Sequence, residues 1–101
     1  SEANLSEAIL FESDLRNAAL FEANLFGVDL RGANLRGADL SDAIVSGALA
    51  GVNLSEAILL GTDLTGANLS KANLSKAILI NAVIMGAWLK GADLGSVRNC
   101  V

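Results

Sequence analysis

The sequence predicts an all-β solenoid, a chain that turns a corner every five residues and winds its coils around one apolar column. Three observations predict it. From Ala3 onward the chain divides into nineteen full pentads and one unit of four, ALAG at 48–51. The middle residue is Leu in sixteen of those nineteen pentads, and the first is Ala in fourteen. Finally, a period of five suits neither common element. On an α-helix each step of five rotates by about 140°, which smears the leucines around the cylinder. On a straight strand it sends successive leucines to opposite faces.

Within a pentad the first and third residues share a face, as along a strand, and the next two break the alternation. The unit is therefore a very short extended edge followed by a corner. Stacked coils of such units pair their edges at about 4.8 Å spacing. The second residue is Asn or Asp in eleven pentads. These side chains bond nearby backbone and tolerate turns, so local corner support is the expected role. Glycine at the fifth place (Gly27, Gly32, Gly37, Gly47, Gly61, Gly66, Gly86, Gly91) fits a corner with an unusual dihedral. A phosphate-binding loop would need a following helix or a GK[ST] ending.

At 101 residues the chain is one domain's worth, with 52 % hydrophobic residues of which only Phe11, Phe21, Phe26 and Trp88 are aromatic. The longest uncharged apolar stretch, residues 77–89, is 13 residues long. A membrane-spanning helix needs about 20, so no membrane role is expected. No secretory signal is visible, which favours a cytoplasmic location. The chain opens at Ser1 without an initiator Met, as a processed end does. Cys100 stands alone and allows no intramolecular disulfide. Residues 1–47 hold eight acids against three Arg, whereas residues 52–101 hold three acids against four bases. Direct nucleic-acid binding is not expected of such a surface.

The A(D/N)LXX pattern, unbroken in ANLRG, ADLSD, ANLSK and ADLGS, resembles the pentapeptide-repeat family over residues 3–98. The resemblance implies a right-handed quadrilateral β-helix, four pentads to a coil, with first and third residues inward. It also points to a bacterial source. Twenty sides then make five coils, a rod roughly 24 Å long at the strand spacing. In the short unit, Ala50 is expected to take the central inward place with one corner residue missing. An outward bulge or a break between sub-domains is the alternative, but four residues carry no linker composition.

Sites of chemistry are scarce. The chain has no His and no Tyr, no cluster suited to zinc, and no ordinary base to activate its serines. A carboxylate pair such as Glu12 and Asp14 reads as solvated corner residues. No enzyme activity, cofactor or metal is expected. Counting sides by fours stacks Asp14, Asn34, Asn53, Asn73 and Asp93 in one column, which reads as a structural ladder. Ile58, Leu60, Ile78 and Ile80 take outward places on one face in successive coils, and Val83, Met85 and Trp88 continue around the following sides. A contiguous apolar patch marks a contact, so these seven residues are the candidate interface, for a protein partner or for self-association through the C-terminal coils. The repeat lapses at the last pentad, where Asn99 replaces the inward Leu beside Arg98. Either the chain is an excised part of a longer protein or its ends pack against a partner.

The leading function is thus a non-enzymatic structural or interaction scaffold. The resemblance supplies an alternative, since family members of the quinolone-resistance type resemble duplex DNA and bind DNA gyrase. Glu7, Glu12 and Glu22 around the first coil agree with it. Arg16, Arg31 and Arg36, the slightly basic C-terminal half and the lack of inward Phe speak against it.

Overall fold

The computed structural model describes residues 3–98; Asn99 and Cys100, singled out above, lie outside them. Among the described residues the chain winds into coils held by sixteen parallel β-bridges, each joining the second residue of one unit to its counterpart one coil on. Asn4 pairs with Asn24, Ile9 with Asp29, Asp14 with Asn34 and Ala19 with Asp39. A bridge at every fifth residue and a repeat of 20 give four sides to a coil. Side one carries Asn4, Asn24, Ile44, Asp63 and Val83; side two Ile9, Asp29, Ala48, Asn68 and Trp88. Side three carries Asp14, Asn34, Asn53, Asn73 and Asp93; side four Ala19, Asp39, Ile58, Ile78 and Arg98. The expected Asx column is therefore side three. Cα extents of 29 × 25 × 25 Å make the stack about as broad as it is tall.

Among the described residues each edge is an isolated bridge and not a longer strand. A corner every five residues leaves room for nothing more. The corner itself is a β-turn. In the first unit the Ala8 N–H donates to the Leu5 carbonyl at 3.0 Å, and the fifth residue, Glu7, has a φ of 61°. A positive φ at only the second of the two central residues is the type II pattern. Among the described residues ten non-glycine residues adopt it alongside eight glycines, so the corner does not require glycine.

The column is dry. Leu25, Leu30, Leu35, Leu40, Leu54, Leu59, Leu64, Leu69 and Leu74 are at most 1 % exposed, as are the first-place Ala23, Ala33 and Ala57. Among the described residues Thr62 is the one buried polar residue, and its hydroxyl donates to the Leu40 carbonyl at 2.7 Å.

The short unit departs from the expected frame. Leu49 is fully buried and Ala50 sits at the corner, so Ala50 is not the inward residue. The four-residue unit is 43–46, and residues 47–51, GALAG, form a full pentad with Gly47 in first place. The Asn68 N–H donates to the Gly47 carbonyl at 2.9 Å, the bond that first-place residues accept throughout the stack. Gly47 is accordingly not a corner glycine, and Gly51 takes that role with a φ of 70°. Bridge spacing falls from 20 to 19 between Asp29↔Ala48 and Ile44↔Asp63, then returns to 20 at Ala48↔Asn68.

Two features let the coil close one residue short. In ordinary units the fifth N–H donates to the fourth carbonyl of the next coil, as Gly66 does to Met85 at 3.0 Å. Unit 43–46 has no fifth residue, and the Ser46 hydroxyl donates to the Thr65 carbonyl instead, at 2.6 Å. Gly47 also passes hard against coil two: a Cβ there would collide with the Val28 carbonyl oxygen and lie 2.7 Å from the Val28 nitrogen.

Candidate protein-interaction surface

With first and third residues inward, the second, fourth and fifth places make the outer surface. In all eleven units with Asn or Asp at the second place, its Oδ1 accepts the fourth residue's N–H, at 2.9–3.3 Å. This is the local corner support expected of them. Neighbours at the fourth place add to it. The Arg16 guanidinium grips both oxygens of Asp14 at 2.8 and 2.7 Å, and Arg31 grips Asp29 in the same way. Arg36 follows Asn34, which offers no second carboxylate oxygen, and reaches Glu56 on the next coil at 3.2 Å.

These contacts favour the ionised carboxylates. The Arg16 side chain, helped by its backbone N–H, pulls the Asp14 carboxyl from 3.8 down to about 2. Arg31 lowers Asp29, and the Thr65 hydroxyl lowers Asp63. Carboxylates held in this state serve as caps, and a general acid needs the opposite shift.

The seven apolar residues fall into three places. Ile58 and Ile78 bridge each other on side four. Leu60 and Ile80 occupy the fourth places of the same two units, where the Gly61 N–H meets the Ile80 carbonyl at 3.0 Å. The three isoleucines are half-buried, and Leu60 is more open. Around the next corner Val83 and Met85 stand exposed on side one. Trp88 is exposed on side two, opposite side four, so one flat partner cannot cover all seven. Further large apolar side chains are exposed that the seven leave out: Ile9, Phe11, Phe21, Phe26 and Ile44. The phenylalanines of AILFE, AALFE and ANLFG all sit at the outward fourth place, a signal the frame already carried.

At the C-terminal end the column opens into an apolar cup of about 100 Å³ lined by Leu79, Ile84, Leu89, Leu94 and Val97. Among the described residues no three of His, Cys, Asp and Glu gather to hold a metal, and no helix is long and apolar enough to cross a membrane.

The family described as pentapeptide repeats, eight copies long, matches residues 1–25, 20–48, 49–84 and 61–95. The chain belongs to the pentapeptide-repeat family. Among solved pentapeptide-repeat structures it is similar to Rfr23 from the cyanobacterium Cyanothece 51142, at 35 % identity and a TM-score of 0.52, over 86 % of this chain and 64 % of that one. It is also similar to trypsin-treated QnrB1, a plasmid-mediated fluoroquinolone resistance protein, at 24 % identity and a TM-score of 0.65, over 93 % of this chain and 59 % of that one. HetL from the cyanobacterium Nostoc sp. PCC 7120 is 32 % identical, with a TM-score of 0.44, over 97 % of this chain and 60 % of that one. The chain thus spans about three fifths of the length of these relatives. No curated protein matches it. Pentapeptide-repeat proteins are generally structural or interaction proteins and not enzymes.

Proposed function

We propose that this chain is a non-enzymatic interaction scaffold, a right-handed quadrilateral coil whose C-terminal half docks a protein partner through side four and the adjoining corner. Ile58, Leu60, Ile78 and Ile80 form the centre of that surface, Val83 and Met85 extend it, and Trp88 is a separate anchor on the opposite side. The observation that carries the reading is contiguity. Ile58 bridges Ile78 and Leu60 lies beside Ile80, in a surface whose other second places are mostly capped Asn and Asp. Grouped apolar side chains of this kind mark contacts more often than scattered ones do.

The experiment is affinity capture with the intact chain, followed by Ile78→Lys with Ile80→Lys. Loss of the captured partner with an unchanged circular-dichroism spectrum supports the surface. Retained binding by the folded double variant refutes it. A second reading, a duplex-DNA mimic acting on gyrase, rests on the exposed Glu7, Glu12 and Glu22 of the first coil. Unchanged supercoiling by gyrase at high protein excess removes it.

A further inference from the structure

Side four is complementary to itself. Over four successive coils its second places run Asp39, Ile58, Ile78 and Arg98, two apolar residues between an acid and a base. The corner that leads into this side carries Glu56 just ahead of Ile58 and Lys76 just ahead of Ile78. Both acids keep an oxygen to spare. The Ser41 N–H and hydroxyl both donate to Oδ1 of Asp39, at 3.0 and 2.7 Å, and among the described residues nothing binds Oδ2. Arg36 likewise holds only Oε1 of Glu56, at 3.2 Å. Lys76 and Arg98 are exposed, and among the described residues neither joins an ion pair.

A two-fold axis lying across this face, between the coils of Ile58 and Ile78, turns a second copy end for end. Second places then meet second places, and fourth places meet fourth. Ile58 faces Ile78 of the second copy and Leu60 faces Ile80, which closes the apolar centre. Asp39 comes opposite Arg98, and Glu56 opposite Lys76. Each pairing occurs twice, as an isologous contact requires. Other arrangements fit worse. Sliding the copies by one coil sets Asp39 on Ile78 or Arg98 on Ile58, which buries a charge against an apolar side chain. With the copies parallel, Asp39 meets Ser41 and Lys76 meets Asn81, and those charges go unanswered.

We propose that the occupant of side four is a second copy of this chain, packed antiparallel about that axis. This rests on side four being the contact surface proposed above, and it names what covers that surface. The contact closes on itself, so assembly stops at two copies. One side of the coil is a small face, below the standard interface size, so the dimer is weak, with a dissociation constant on the order of 100 μM.

Sedimentation of the 101-residue chain over a concentration series tests it. A monomer–dimer equilibrium is expected, weakened by high salt. Lys76→Glu with Arg98→Glu makes every charge of the contact acidic and should weaken the dimer about tenfold. Asp39→Lys with Glu56→Lys makes every charge basic and should weaken it similarly. Mixing the two variants should restore a one-to-one dimer, because all four pairings are again opposite in sign. Thermal melts verify that each variant is folded. A monomer at every concentration up to about 1 mM overturns the proposal. So does assembly past two copies, a dimer that survives in folded Ile78→Lys with Ile80→Lys, or a dimer indifferent to the acidic swap. Failure of the two folded variants to pair on mixing overturns it as well. None of these results removes a different protein from side four, a reading that falls only if the folded Ile78→Lys, Ile80→Lys chain still captures its partner.

Discussion

Replacing Gly47 with Ala tests the register of the short unit directly. The added methyl would meet the Val28 carbonyl oxygen and nitrogen and, at 3.1 Å, the Gly27 carbonyl carbon. None of these atoms can step aside freely. The Val28 carbonyl accepts the Ala48 N–H at 2.9 Å, and the Val28 N–H closes the turn on Leu25 at 3.1 Å. The methyl therefore forces two coils apart or breaks ladder bonds. Overpacking of this kind costs about 1–3 kcal/mol, and here the upper end applies because the obstruction is backbone. Gly66→Ala is the control. It has a φ of +69° and nothing within 4 Å, so it carries only the left-handed penalty of about 1–2 kcal/mol. Urea melts at constant m-value read both. Gly47→Ala should lose more than Gly66→Ala. A loss at Gly47 no larger than that at Gly66 would mean that the Val28 backbone does not crowd position 47, and would refute the register.

Leu49→Ala should cost about 2–5 kcal/mol and Ala50→Ser under about 0.5, because the first empties the column and the second changes a corner; equal losses in the same melts would contradict the inward place of Leu49. Ser46→Ala removes the donor to the Thr65 carbonyl, and since water can reach that exposed corner the expected cost is near the low end of about 0.5–1.5 kcal/mol. Asp14 has its folded pKa lowered from 3.8 to about 2, so its contribution is present above the ordinary value and lost as pH falls from there through about 2. A carboxyl titration by NMR should place its midpoint near 2 and return it toward 3.8 in Arg16→Ala; an ordinary midpoint in the wild type would discard the fork.

The repeat was legible because inward places recur, and burying a Leu is worth roughly 1.5–3 kcal/mol each time. The frame anchored on Leu25, Leu35 or Leu64 is the frame of the structure. The two differ only across 43–51, where Gly47 looks like a corner glycine but holds a first place. Leu49 was the stronger signal. A corner accepts Glu12, Lys71 or Asn81 at positive φ, whereas a central place filled by Ala leaves the column short of an apolar side chain. Cutting the stretch as AIVS and GALAG keeps Leu in the centre. Side three was legible for the same reason, since a fixed beat places Asp14, Asn34, Asn53, Asn73 and Asp93 above one another. What the beat does not encode is which outward residues meet something else, because those places are free of the packing that enforces it.

The outward places nevertheless differ in what they give up. A second-place Asn or Asp gains a capping bond to the fourth N–H, and each unit with another residue there forgoes about 1 kcal/mol. Large apolar residues do so at Ile9, Ile44, Ile58, Ile78, Val83 and Trp88, on sides one, two and four. Side three has none. If those residues are kept for contacts and not for the fold, restoring the cap should stabilise the free chain. Trp88 is the cleanest case, since it is 66 % exposed and loses little burial on replacement. Trp88→Asn should accept the Lys90 N–H and raise stability by about 0.5–1 kcal/mol in urea melts, while weakening whatever contact Trp88 makes. A loss of more than about 1 kcal/mol would mean that Trp88 packs on its own coil. The uncapped second places would then mark folding needs, and the three sides that carry them would lose their claim as the binding surface.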